Sequence, residues 1–304
     1  MIMHKPGAGS IIEEAFRQGI VVPGFNIPYL PMMEPVIRAL YDTGTFGLIM
    51  VARLEWIKFK SGSMKSVRDE YEKLKDLKFT RLHLDHVPVI DEDNLLTDFE
   101  NIIREAINLG YDSVMIDGSR LSLVENIEKT RRIVEIAHEN GIPVEAELGA
   151  VMGHESGPLP PYEELFKTGK GFTSPDEAER FVQETQTDWL SVAIGNIHGA
   201  ISAAKRTEKK IEARLAIHHL KKINDTIKIP LVLHGGTGIG KEYLMQSFKE
   251  GIAKINIATA IRQPYEKLMI SSVKAAQKAV YIETLDIINN QLEITGSARK
   301  LLAK

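Results

Sequence analysis

The chain contains no cysteine among its 304 residues. This absence excludes disulfide bonds, thiolate nucleophiles and cysteine-ligated zinc, so any metal site must use histidine and carboxylate side chains. No apolar run reaches the ~18 residues that a membrane-spanning helix needs. The first residues also lack the apolar stretch of a signal peptide. We therefore expect a cytoplasmic protein that does not contact membranes.

An excess of charge of either sign is also lacking. The 38 Lys and Arg residues and 41 Asp and Glu residues leave a formal net charge of −3. Without a basic excess, the composition favours no nucleic-acid partner. Hydrophobic residues make up 43% of the chain, which is enough to bury a large core. We expect one domain over residues 1–304, with residues 282–304 as a C-terminal helical extension that contacts a second copy.

Apolar, β-branched runs alternate with helix-like segments along the whole chain. Eight runs predict buried strands: VVPGFNI (21–27), FGLIMVA (46–52), TRLHLDH (80–86), DSVMID (112–117), VEAELG (144–149), WLSVAIG (189–195), IPLVLH (229–234) and AKINIAT (253–259). Strands separated by helices imply right-handed parallel crossovers. Eight such units predict an α/β fold, a (β/α)8 TIM barrel, with an open doubly wound sheet as the alternative.

Unusual polar residues cluster where the predicted strands end. In a barrel these carboxyl ends meet at one face, where active sites lie. The residues concerned are Asn26, Asp85, His86, Asp117, Glu145, Glu147, Asn196, His198, His234, Asn256 and Thr259.

Three of these residues are histidines that end three different strands: His86, His198 and His234. Three imidazoles beside carboxylates fit a catalytic zinc site with an open position. His83, inside its strand, is interpreted as a core residue. Asp85 and His86 are adjacent, so both side chains face one site only if the strand ends between them. Pro88 favours such an end.

Two further features support a site that holds a metal beside a phosphate. Glu145 and Glu147 share one face of their strand, where a buried carboxylate needs a metal or a cationic side chain as its partner. A glycine-rich turn follows His234, and such turns before a helix let backbone N–H groups approach an anion. The turn and the next strand end supply small hydrogen-bonding residues where barrels commonly hold phosphate: Gly235, Gly236, Thr237, Asn256 and Thr259.

These residues carry a resemblance to the class II, metal-dependent ketose-bisphosphate aldolases of the fructose- and tagatose-bisphosphate type. The resemblance extends over nearly the whole chain and places six motifs in the right order: HLDH (83–86), VMIDGS (114–119), VEAELG (144–149), AIGNIHG (193–199), LVLHGGTGI (231–239) and KINIAT (254–259). It implies a lyase that cleaves a ketose 1,6-bisphosphate to dihydroxyacetone phosphate and an aldehyde such as glyceraldehyde 3-phosphate. With Ala258, the NIAT form of the last motif is similar to that of the tagatose-bisphosphate branch.

The resemblance also implies a role for each site residue. His86, His198, His234 and Glu147 would hold or adjoin Zn²⁺, or another divalent metal such as Co²⁺. Asp85 would be the acid/base beside it, and Glu155 the loop glutamate that moves the substrate proton. The remaining residues would bind substrate or its phosphate: Asn26, Gly199, Gly235, Gly236, Thr237, Asn256 and Thr259. Backbone groups near Gly199 and Gly235 would hold Na⁺ or K⁺, and a homodimer or homotetramer is implied.

One departure from the family pattern keeps an alternative open. Arg53 follows the second strand, where relatives carry a small hydroxyl residue. It is either salt-bridged or available to bind a carboxylate or phosphate bidentately. The second possibility motivates a metal-dependent isomerase or epimerase, or an aldolase, that acts on a carboxylate-bearing sugar. A non-catalytic relative would lack a ligand or an acid/base, and all those positions are filled.

Overall fold

The computed structural model of the chain describes residues 6–149, 162–196, 213–236 and 238–303. Its centre is a closed barrel in which each of the eight strands is parallel to its two neighbours. The strands are β1 (Val22–Asn26), β2 (Gly47–Ala52), β3 (Thr80–Pro88), β4 (Ser113–Asp117), β5 (Val144–Leu148), β6 (Trp189–Val192), β7 (Leu231–Leu233) and β8 (Ile252–Ile257). The predicted (β/α)8 barrel is confirmed, and the open sheet is excluded because β1 pairs with β8.

Helices surround this barrel in the described part of the chain. They are α1 (Ala8–Gln18), α2 (Met33–Thr43), α3 (Arg53–Lys58), α4 (Met64–Leu74), α5 (Phe99–Leu109), α6 (Leu123–His138), α7 (Tyr162–Thr168), α8 (Pro175–Thr185), α9 (Ile217–Ile227), α10 (Lys241–Lys249), α11 (Thr259–Leu268), α12 (Val273–Asp286) and α13 (Ser297–Leu301). A 3₁₀ turn (Leu30–Met32) precedes α2, and a π-helical turn (Ile287–Gln291) follows α12. Within the described residues, no helix combines the length and apolarity needed to cross a membrane.

Local sequence signals set many of these helix ends. The hydroxyls of Ser63, Ser174 and Ser272 accept a backbone N–H at the starts of α4, α8 and α12. Gly19 and Gly44 end α1 and α2 in the left-handed conformation, which glycine adopts without steric penalty.

Side chains of each strand alternate between two cores. In β2, Ile49 and Val51 face the helices, whereas Leu48 and Met50 point into the barrel. The apolar interior cluster is closed at the N-terminal end of the barrel by Ile11 and Ile12 of α1, and all these side chains are fully buried. Toward the other end of the strands the inward side chains become polar, and that end holds the predicted site.

One local prediction is wrong. The third strand does not end between Asp85 and His86 but continues through Pro88. Residues 282–304, expected to form a C-terminal helical extension, begin within α12, whose N-terminus is capped by the hydroxyl of Ser272.

Candidate active site

A β-bulge in β3 brings two adjacent side chains to one site. Leu84 pairs with Val114 and Val87 pairs with Ile116, so Asp85 and His86 together lie opposite a single residue of β4. His86 adopts a φ of 33°, a left-handed conformation that is rare outside glycine. A bulge re-aims a side chain without ending the strand. It therefore resolves the geometric conflict that the sequence posed.

Two of the three predicted imidazoles meet at the carboxyl ends of β3 and β7. The ring centroids of His86 and His234 are 4.5 Å apart. His86 Nδ1 lies 3.4 Å from Asp117 Oδ2, and His234 Nδ1 lies 3.1 Å from Glu147 Oε2. Ligand atoms of Asp85, His86 and His234 lie within 4.8 Å of one another, as do those of His86, Asp117 and Glu147. This donor set has the composition of a divalent-metal site.

His234 is oriented by groups on neighbouring strands. Its Nε2 lies 2.8 Å from Glu145 Oε1, and its backbone carbonyl accepts a 3.0 Å hydrogen bond from Asn196. A carboxylate acceptor at Nε2 favours the tautomer with the proton there, which leaves the Nδ1 lone pair directed toward Glu147. The geometry thus presents Nδ1 as the ligand atom.

The buried polar atoms of the site fit a bound cation. Glu147 is 2% exposed, and its Oε2 accepts no hydrogen bond from the residues that the structure describes. Two electron-rich atoms 3.1 Å apart, Glu147 Oε2 and His234 Nδ1, repel unless a proton or a cation lies between or beside them. Burial and the nearby charge of Asp117 raise the pKa of Glu147. A divalent cation would satisfy these groups.

Electrostatics around His86 lead to the same conclusion. Burial by itself lowers the pKa of His86, but the carboxylates of Asp85, Asp117 and Glu147 outweigh it and raise the pKa to about 10. A pocket that favours a proton this strongly also favours a metal cation at the same place, since both are stabilised by the same negative field.

Asp85 is held as an ionised carboxylate. Asn26 donates to its Oδ2 at 2.8 Å and Asn256 donates to its Oδ1 at 2.9 Å. Burial raises the pKa of Asp85, but the positive charges of His86, Lys254 and His234 outweigh it and hold the pKa below the usual range. Asp85 is therefore in the ionised form, which a base requires. Asn26 and Asn256, predicted to bind substrate, direct their amides at Asp85 in this structure.

The residues after β2 differ from one another in their surroundings. Arg53 begins α3 and is about one-fifth exposed, and its Nη1 lies 3.6 Å from Asp91 Oδ2. Glu55 is 6% exposed, and its Oε2 accepts hydrogen bonds from the Ala52 backbone at 2.8 Å and Asn26 at 3.4 Å. Burial raises the pKa of Glu55 to about 8. This second carboxyl beside Asp85 was not predicted.

The glycine-rich turn after β7 lies at the same end of the barrel. Gly235 has a φ of 67°, and a Cβ on Gly236 would lie 2.6 Å from the Ile255 side chain, so neither position suits a larger residue. Thr259 begins α11 directly after β8. Backbone N–H groups at a helix start and a glycine turn favour an anion. Glu155, His198, Gly199 and Thr237 lie outside the described residues.

Sequence reasoning did not select Lys254, which is fully buried in β8, or Trp189 at the start of β6. Lys254 Nζ and Trp189 Nε1 both donate to Glu145 Oε2, at 2.7 and 2.8 Å. Lys254 is the cationic partner that buried Glu145 needs. The available signal was a lysine within the otherwise apolar run AKINIA, on the inward side of the strand together with Asn256.

Fold and site together define a barrel enzyme that gathers imidazoles and carboxylates at its C-terminal face. The model of the family "Fructose-bisphosphate aldolase class-II" matches residues 8–300, so the chain belongs to this family of lyases.

Individual relatives agree with the family match. The fructose-bisphosphate aldolase of Staphylococcus aureus strain Mu50 is 31% identical over 287 residues, which cover 93% of this chain and 86% of that protein. The fructose-bisphosphate aldolase of Streptococcus pyogenes serotype M3 is 31% identical over 83% of this chain and 78% of its own length. The crystal structure of the YdjI aldolase from Escherichia coli K12 is 27% identical, with a TM-score of 0.75 over 95% of this chain and 98% of that one.

Proposed function

We propose that this class II aldolase is a zinc-dependent enzyme that cleaves a ketose 1,6-bisphosphate of the fructose or tagatose type. Dihydroxyacetone phosphate and an aldehyde such as glyceraldehyde 3-phosphate are the products. One observation carries the proposal: candidate ligand atoms of the ionised Asp85, His86 and His234 lie within 4.8 Å of one another. An acid/base group beside a metal-type donor set is what metal-assisted aldol cleavage requires.

The residues that would hold the metal are His86, His234 and Glu147, with His198 completing the set as the family resemblance implies. When bound there, a divalent metal polarises the ketone of the substrate and stabilises negative charge that develops on its oxygen. Glu145 keeps His234 in the tautomer that such a ligand needs. Asp117 lies beside His86 and adds negative charge at the site.

Asp85 supplies the base for bond cleavage. Its carboxylate accepts the proton of the hydroxyl group on the carbon beyond the scissile bond, and that fragment leaves as an aldehyde. The electron pair of the broken carbon–carbon bond remains on the ketone fragment as an enediolate. Asn26 and Asn256 hold both oxygens of Asp85 in position, so little reorganisation precedes the transfer.

Two further steps complete the proposal. Glu155 donates a proton to the enediolate carbon, which yields dihydroxyacetone phosphate. Gly235, Gly236 and the start of α11 at Thr259 bind the phosphate of that fragment through backbone N–H groups. These groups follow β7 and β8, where barrels commonly hold phosphate.

A coupled assay for release of dihydroxyacetone phosphate tests this function. The panel contains fructose and tagatose 1,6-bisphosphates and their 1-phosphates, before and after removal of metal by a chelator. We expect product that disappears with the chelator and returns with Zn²⁺. No product from any substrate, with protein that contains one metal per chain, would contradict the proposal. Turnover without a three-carbon product would indicate an isomerase or epimerase instead.

Arg53 favours a second candidate, an aldolase whose substrate carries a carboxylate in place of the distal phosphate. Its guanidinium lies at the carboxyl end of β2, and its 3.6 Å distance to Asp91 is longer than a hydrogen bond. Arg53→Gln should raise KM for the preferred acidic substrate far more than kcat changes. Arg120→Gln is the matched control, since Arg120 donates to the Asp91 carbonyl nearby. Equal KM values for wild type and Arg53→Gln would exclude this role.

A further inference from the structure

Lys254 lies at the centre of the polar interior of the barrel. Its side chain is fully buried, and its Nζ donates at 2.7 Å to Glu145 Oε2 and at 2.7 Å to Asn256 Oδ1. Burial of an ammonium group costs free energy unless its N–H groups donate hydrogen bonds, so both contacts are needed in the folded protein. The two acceptors lead to two different functional groups of the site.

One contact leads to the metal donors. Glu145 accepts from Lys254 and Trp189 on Oε2, and Oε1 lies 2.8 Å from His234 Nε2. These three contacts, with Lys254, Trp189 and His234, hold the Glu145 carboxylate in place as an acceptor. Its fixed position sets both the rotation of the His234 ring and the nitrogen that carries the proton.

The other contact leads to the base. An asparagine amide has one acceptor and one donor end, and Lys254 can only donate. By occupying Asn256 Oδ1, the ammonium group turns the Nδ2 end toward Asp85 Oδ1, at 2.9 Å. Without Lys254 the amide has no such constraint and can rotate to present its oxygen, which would repel the Asp85 carboxylate.

We propose that Lys254 is a positioning residue that orients His234 through Glu145 and Asp85 through Asn256. This inference rests on the proposed metal-dependent function. It assigns one buried amine to the alignment of the ligand and the base, which belong to strands β7 and β3 on different sides of the barrel. A purely structural ion pair would affect stability without affecting the metal or the chemical step.

The test is Lys254→Met, which keeps the length of the side chain and removes its donors. Metal-free wild type and variant are titrated with Co²⁺, whose visible d–d spectrum reports ligand geometry. We expect a Co²⁺ affinity lower by about 10- to 100-fold, typical for loss of an outer-shell partner, and a changed spectrum. At saturating Co²⁺ we expect kcat to fall more than KM rises.

The matched control is Arg81→Met, which removes another buried cation. Arg81 is 3% exposed at the N-terminal end of the barrel and donates to the carbonyls of Leu77, Thr80 and Pro6. Its replacement should lower thermal stability while leaving Co²⁺ affinity and spectrum unchanged. Equal changes of affinity and spectrum in both variants would show a general structural effect and overturn the inference.

Double-mutant cycles separate the two contacts. In a Glu145→Gln background, Lys254→Met should add little further loss of Co²⁺ affinity, because the path to His234 is already broken. In an Asn256→Ala background, Lys254→Met should add little further loss of kcat at saturating Co²⁺, because the path to Asp85 is already broken. Full additivity in both cycles would contradict the proposal.

If Lys254→Met does not fold, the double variant Lys254→Met/Glu145→Gln removes both charges of the buried pair. This double variant still tests the contact with Asp85 through Asn256. Wild-type kcat of the double variant at saturating Co²⁺ would overturn the proposed role of Lys254. Wild-type protein that binds no Co²⁺ contradicts the proposed function itself. If wild-type protein binds Co²⁺ and Lys254→Met binds it with the same affinity and spectrum and keeps wild-type kcat, only the role of Lys254 is contradicted.

Discussion

The two ends of the barrel are built from the same strands but from opposite kinds of side chain. At the N-terminal end Ile12, Leu48 and Val232 form part of a fully buried apolar cluster closed by α1. At the C-terminal end Asp85 and Glu147 occupy inward positions of β3 and β5, both almost fully buried. One end thus contributes apolar burial, and the other concentrates charge that folding alone would not favour.

The buried polar side chains at the two ends of the barrel also differ in their hydrogen bonds. Arg81, at the apolar end, donates three hydrogen bonds of 2.7 Å to backbone carbonyls. Glu147 Oε2, toward the other end, is one of several buried side-chain atoms without a hydrogen-bond partner among the described residues. Buried polar atoms are normally paired, and a bound ion would explain an unpaired carboxylate oxygen beside imidazoles and further carboxylates. We therefore expect stability and chemistry to respond to substitutions at different ends of the barrel.

The largest expected effect comes from the polar end. Asp85→Asn should lower kcat by about 10²- to 10⁴-fold, because it removes the base and leaves the shape of the site unchanged. Release of dihydroxyacetone phosphate at saturating substrate and metal measures it. Melting temperature serves as the control and should stay close to wild type, and metal content is measured so that kcat is expressed per metal-loaded molecule. Wild-type kcat in Asp85→Asn would contradict the assignment of the base.

The apolar end should show the opposite behaviour. Ile12→Ala should destabilise the protein by about 2–5 kcal/mol, because it opens a cavity in the closed end of the barrel. Denaturant unfolding measures this loss, and kcat per folded molecule should not change. Ile270→Ala, at a side chain that is 92% exposed, is the control and should change stability little. A large fall in kcat for Ile12→Ala would break the separation between the two ends.

A smaller effect concerns Glu55 and pH. Burial raises the pKa of Glu55 to about 8 from an ordinary 4.5, so the folded protein keeps a proton that the unfolded chain loses between these values. Its contribution to stability is therefore fully present below pH 4.5 and declines until pH 8, by up to about 1.4 kcal/mol per pH unit. Glu55→Gln has no such proton, so its stability relative to wild type should increase from pH 5 to pH 8.

Unfolding free energies at both pH values check this prediction. Glu13→Gln, at an exposed position of α1, controls for the loss of a carboxylate. A constant difference between wild type and Glu55→Gln across this range would show that Glu55 is ionised in the folded protein. The C-terminal end of the barrel would then hold the buried charge of Glu55 in addition to that of Asp85.

Local patterns were sufficient to predict the order and type of most elements. Buried apolar runs identified the eight barrel strands. The rule that polar residues gather where barrel strands end also predicted that Asp85, His86 and His234 lie at one face. Such predictions succeed because hydrophobic periodicity depends on neighbours within a few residues.

The wrong prediction about β3 involves an effect that no short window contains. The β3 bulge arises in the register with β4, so Asp85 and His86 could not be placed correctly from their own strand. The directions of the Asn26 and Asn256 amides depend on acceptors 29 to 171 residues away along the chain. Their predicted roles in substrate binding stay predictions.

The sequence by itself determined the barrel, its strand order and which chemical groups gather at its carboxyl end. Only the tertiary structure decided how those groups are oriented. Lys254 and Glu145 are separated by 109 residues, yet their atoms lie 2.7 Å apart, and Glu145 in turn faces a histidine 89 residues further along. Hydrogen bonds act over about 3 Å in directions set by three-dimensional packing, whereas sequence patterns record only spacing along the chain.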